Sequence, residues 1–231
     1  MTKLFVYFAL YLKMNLPALM QASFKEIWSN LTGTERDLAI VWSMVFETQT
    51  VLEFSRLLNK IGIIPPVGEA RFSHAFTQEV TEKLHGLGLL TKHDKQGWSV
   101  SSEYGETLMR IGTLKPDFSV QLNAVRREMP YKTYWQPRSP EALMREIRIS
   151  FYQQNEGMFE RLQKDAQTNF PGKVHEGYFT EPLFRDFDPR WVETLLPAWQ
   201  LITIRSAFGR ALAEWGDLDP LINFLESHSQ I

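Results

Sequence analysis

A chain of 231 residues, 44% of them hydrophobic, has material for one large core or two smaller ones. It has no cysteine, which excludes disulfides, thiolate zinc sites, cysteine nucleophiles and iron–sulfur clusters and fits a reducing, cytoplasmic compartment. Lys and Arg number 25 against 27 Asp and Glu, a formal net charge of -2, so affinity for a polyanion has to come from a local patch.

The chain opens on an apolar run, Leu4 to Leu12 (LFVYFALYL), between Lys3 and Lys13. It is far short of the ~20 residues of a membrane span, and the KMNLPALMQ after it is a poor cleavage site. A weak signal or anchor, an extra segment upstream of a start at Met14, and a docked helix all remain open. Residues 1–30 are read as the last, an apolar helical arm on the body, on a protein partner or on a second copy. Phe5, Phe8 and Leu12 left in water would otherwise make a sticky patch. No membrane partner is expected.

From Asn30 the punctuation becomes regular. Thr34 and Asp37 fit a capping box, a hydroxyl with a carboxylate three residues on, ahead of a helix with Leu38, Val41, Trp42 and Val45 on one side. Thr50 and Glu53 form a second box, opening a helix that buries Leu52, Leu57 and Leu58, and Gly62 with Pro65 and Pro66 ends it. A third helix is expected from about Glu69 to His85, with Phe72, Phe76, Val80, Leu84 and Leu87 along its inner face. Gly86 and Gly88 close it. Leu89 to Val100 then reads as a β-hairpin around the turn Asp94–Gly97, and Ser102 to Leu108 starts another helix.

Helices, a hairpin and a closing helix in this order form a winged helix-turn-helix pattern over residues 31–112. The stretch LHGLGLLTKHDKQGWSVSSEYGETLM resembles bacterial winged-helix regulators of the MarR-like type, in which a recognition helix runs through a Leu-x-x-x-Gly-Leu turn into the wing. SSEYGETL is similar to the Thr-Pro-x-Gly-x-x-Leu after that wing, with Ser102 at the Thr position and Glu103 at the Pro position. The resemblance implies a third helix laid in the major groove of DNA and a wing on the phosphates. Its outward residues would be Arg71, Ser73, His74, Thr77, Gln78 and Thr81, and the wing would add Lys92, His93 and Lys95. Arg71 and Gln78 suit base edges, and the hydroxyls suit phosphates. Glu69, Glu79 and Glu82 lie on or near the same helix and oppose a phosphate backbone. The alternative is a non-catalytic protein–protein interaction module, the N-terminal regulatory part of a larger machine.

Residues 113–231 read as a small all-α domain, which makes the fold class mainly α. Gln121 to Met129 is a short helix with Arg126 and Arg127. Pro130, Tyr131, Tyr134, Trp135, Pro137 and Pro140 form an aromatic crossing, either packing between two domains or, with the arginines, a strip along a nucleic-acid backbone. Ser139-Pro140 opens a helix expected to run to about Lys164, and Phe170-Pro171-Gly172 closes it. Asp188-Pro189, Pro197 and Asp219-Pro220 open the remaining helices, with little strand expected outside the wing. No phosphate-cradling Gly loop, Gly-x-Ser-x-Gly elbow or His-Glu-x-x-His is present, so neither catalysis nor a cofactor is expected. His175, Glu176, Glu181, Asp186 and Asp188 match no metal spacing, and Asp188 is better explained as a helix cap.

Overall fold

Side-chain caps decide where several of the helices begin. In the computed structural model, which describes residues 22–94, 96–184, 187–214 and 218–228, α1 (Ala22–Ser29) leads into α2 (Gly33–Val45). Thr32 caps α2, not Thr34: its Oγ1 accepts from Glu35 N at 3.3 Å while Glu35 Oε2 accepts from Thr32 N at 2.8 Å. Asp37, the other half of the expected box, is taken up by an ion pair with Lys115. The second box forms as read, with Thr50 and Glu53 opening α3 (Val51–Ile61) and Gly62 ending it at φ 76°.

The third helix, α4 (His74–Gly86), starts five residues later than its apolar spacing suggests. Phe72 is held in the preceding loop by α3. Its N–H donates to Asn59 Oδ1 at 2.8 Å, and its carbonyl accepts from Asn59 Nδ2 and Ser55 Oγ, both at 3.0 Å. Ser73 then caps the helix, its hydroxyl accepting from Phe76 N at 3.2 Å.

The expected hairpin is present. β1 (Leu90–His93) pairs antiparallel with β2 (Gly97–Val100), from Leu90 opposite Val100 to His93 opposite Gly97. Gln49 adds a third edge through Gln49 N to Trp98 O at 2.9 Å and Trp98 N to Gln49 O at 2.8 Å. Gly97 sits at φ 113°, where a side chain would run into the Gln49 carbonyl.

After α5 (Gly105–Thr113) and α6 (Phe118–Glu128) comes a short ribbon that the sequence does not advertise, β3 (Lys132–Thr133) against β4 (Gln136–Pro137). The helix expected over 139–164 is two. α7 (Pro140–Tyr152) ends before Gln154, which takes φ 51°, and Asn155 caps α8 (Glu156–Asn169) by accepting from Met158 N at 3.0 Å. The break lets α8 pack back on α7. Pro171 then opens a further helix where a closing turn was expected. That helix is α9 (Pro171–His175), followed by α10 (Glu181–Phe184), α11 (Pro189–Val192), α12 (Pro197–Glu214) and α13 (Asp219–Ser227).

One apolar cluster joins Phe24, Trp42, Phe54, Leu84, Trp98, Leu122, Phe151, Trp199 and Phe224, so the core continues across residue 112 without a break. Its spine is α7, buried from Ala142 to Tyr152 with Arg145, Glu146 and Arg148 inside. Arg148 Nε meets Glu106 Oε1 at 2.7 Å, and Arg148 Nη1 donates to Ser43 O at 2.9 Å. Tyr152 donates to Glu106 Oε2 at 2.6 Å, and burial, reinforced by that carboxylate, pushes its phenol well above the usual range.

Candidate nucleic-acid interface

The charged residues of α7 fix the platform on which α4 and the hairpin stand. Arg145 pairs with Glu47, and Arg138 reaches the same carboxylate at 3.1 Å. Arg148 lies over the Phe46 ring at 4.4 Å, where Phe46 takes φ 59° as α2 ends. Two residues beyond Glu47, Gln49 clasps the hairpin. The hairpin is therefore tied along β2 to the segment that follows α2, and α4 packs against β1, α2 and α3.

On this platform the expected contact residues divide. Arg71 and His74 are exposed, on the loop before α4 and at its first residue, and Lys92 is exposed on β1 with its ammonium 5.1 Å from the centre of the Trp98 ring. Gln78 is half-buried and donates to Glu82, one turn on. His93 is half-buried and shares a hydrogen bond with Ser99 Oγ at 2.8 Å. Ser73 spends its hydroxyl on the helix cap. Lys95, like the apolar run at 4–12, lies outside the described residues.

Thr77 and Thr81 do not face outward. Both are 0% exposed, and Thr77 Oγ1 donates back to Ser73 O at 2.8 Å. With the helix starting at His74, the buried stripe is Thr77, Val80, Thr81 and Leu84, a regular inner face in which threonines stand among the apolar side chains. Phe76 is only half-buried. That stripe could have been found by letting β-branched threonines count as core residues.

The acidic side chains are arranged unevenly. Glu79 and Glu82 are exposed on α4. Lys83 is drawn away from them to α2, where it meets Glu35 Oε1 at 2.7 Å. Partial burial alone would raise Glu35, but bonds from Lys83 and Thr32 hold its carboxyl below the ordinary value.

A second feature lies around the β3–β4 ribbon. Tyr134 and Trp135 form its turn and are 92% and 91% exposed, so they do not pack between domains; Tyr131 alone of the three is half-buried. Beside them Asn123, Arg126, Arg127, Tyr131, Lys132 and Glu146 line a cleft of about 430 Å³. Burial raises the Tyr131 phenol despite the neighbouring Lys132 ammonium. Elsewhere, Asp188 caps α11, accepting from Arg190 N and Trp191 N at 3.1 and 3.3 Å. Among the described residues no three His, Asp or Glu come together around a metal-sized space, and no helix is long and apolar enough to cross a membrane.

The chain matches no family model, no curated protein and no solved structure.

Proposed function

We propose that residues 31–112 form a winged helix-turn-helix that binds duplex DNA, with α4 in the major groove and the β1–β2 hairpin on the backbone, in gene regulation or another DNA transaction. The observation that carries this reading is the open face of α4. Arg71 and His74 stand in solvent at its N-terminal end and Lys92 stands on the hairpin, while α6 packs on α3, α2 and α5 and α7 packs chiefly on α8, with α2 and α5. The positive end of a helix dipole with an adjacent guanidinium suits an anionic, base-bearing groove. In this reading Arg71 contacts a base edge and Lys92 a phosphate, while Thr77 and Thr81 serve packing.

Titration of a labelled pool of random duplexes at low salt tests it. Arg71→Ala should cost ~1–3 kcal/mol and relax preference at one base position. Lys92→Ala should weaken all duplexes about equally and flatten the salt slope. Absence of binding at micromolar protein favours the second reading, a non-catalytic protein-interaction module. Exposed Glu79 and Glu82 on α4, with Ile64 and Val67 exposed in the loop before it, favour that alternative.

A further inference from the structure

Two neighbouring aromatic side chains held clear of the body call for a partner, because each forgoes the burial that its ring favours. Tyr134 takes φ 59°, a backbone conformation uncommon for an aromatic residue, and the turn it makes presents both rings outward. The ribbon beneath is tied down. Arg138 N donates to Tyr131 O at 2.7 Å, and Lys132 meets Asp165 at 2.7 Å. The rings therefore stand on a fixed support beside the cleft, where the Arg127 side chain is 68% exposed.

The charge lining that cleft has the opposite sign to the chain. The lining holds three cations, Arg126, Arg127 and Lys132, and one carboxylate, Glu146. Glu128 and Asp165 pair with Arg127 and Lys132 from outside the lining, which itself is net positive on a molecule of net charge -2. A cationic cleft alone would suit any polyanion. Coupled to two exposed rings, it fits a ligand carrying phosphates on one side and unshielded flat faces on the other.

We propose that the β3–β4 turn and its cleft hold an unpaired nucleic-acid strand, with phosphates along Arg126, Arg127 and Lys132 and bases stacked on Tyr134 and Trp135. A duplex keeps its base faces inside the stack and offers the rings nothing, whereas a single strand offers a face at every nucleotide. An acidic peptide would satisfy the cations and leave the rings unused. This site shares no residue with the α4 face and stands independently of the duplex reading.

Fluorescence anisotropy of the full chain with labelled oligo-dT of about 20 nucleotides, a length covering one such site, tests it beside a labelled duplex. Oligo-dT should bind with strong salt dependence. The double variant Tyr134→Ala/Trp135→Ala should lose at least about fivefold in affinity for it, Trp135→Phe should retain most of it, and Arg127→Ala should lower it and flatten the salt slope. Duplex affinity should be unchanged by the aromatic variants and reduced by Arg71→Ala, which separates a failure here from a failure of the α4 reading. The altered rings are exposed, and an unchanged thermal melt shows that the variants remain folded. The proposal is overturned if oligo-dT fails to bind at micromolar protein, if the double alanine variant binds it as tightly as the parent, or if poly-glutamate displaces it as well as unlabelled oligo-dT does.

Discussion

Arg148, on α7 and far along the chain from the hairpin, ties α5 to the end of α2. Its guanidinium neutralises Glu106, bonds the Ser43 carbonyl near the end of α2 and lies over Phe46 at the strained turn beyond it. Removing one partner of a buried ion pair leaves the other charge in low dielectric, at a typical cost of about 3–5 kcal/mol. Arg148→Ala should therefore destabilise the protein by that order in urea unfolding. The paired replacement Arg148→Met with Glu106→Gln should be milder than the single change, because it leaves no lone charge. A single variant no worse than the pair would show that Glu106 reaches solvent or another cation when Arg148 is lost.

At the scale of elements, the position of α4 depends on α3 more than on its own sequence. Asn59 and Ser55 hold Phe72 extended, and this lets Ser73 become the cap. Asn59→Ala leaves the Phe72 N–H without its acceptor in a half-buried setting, a cost of about 1–3 kcal/mol. It should also speed amide exchange across residues 63–76. Exchange at its original rate there would mean that the loop is held by Phe72 packing alone. The same element shows what sequence could reveal. Thr50 with Glu53, the turn ending in Gly97, Ser139-Pro140 and Asp188-Pro189 are local signals, and each produced the expected feature. Where the deciding partner is distant, the reading slipped. Thr32 prevailed over Thr34 while Asp37 was engaged by Lys115, 78 residues away, and α4 began late because Asn59 captured Phe72. The site obeyed the same rule. Arg71, His74 and Lys92 face outward as polarity alone suggests, whereas Thr77 and Thr81 were misplaced because the phase of the helix depends on its start. For Tyr134 and Trp135 the sequence leaves packing and a nucleic-acid strip both open, because aromatic side chains beside prolines often pack, and only the folded ribbon shows them in water.

The molecule as a whole is built so that the proposed DNA-reading part depends on α6 and α7 for its own core. Gly112 makes room for the Phe118 ring, which lies too close for any Cβ at that position. Leu122 and Val125 of α6 join the same core as Phe54 and Leu58 of α3, and Lys60 meets Glu128 across the two helices at 3.2 Å. Glu106 has its cation and its phenol donor on α7. A fragment ending at residue 113 would expose that apolar surface and strand a buried carboxylate, although a chain of about 90 residues is otherwise long enough to fold. The full chain should unfold in one transition, coincident by far-UV circular dichroism and tryptophan fluorescence. The fragment 22–113 should show no cooperative melt, should bind a hydrophobic dye and should lose whatever duplex affinity the full chain has. A fragment that melts cooperatively with duplex affinity intact would instead make the first part autonomous, and would reduce the α2–α7 contacts to docking between two independently stable bodies.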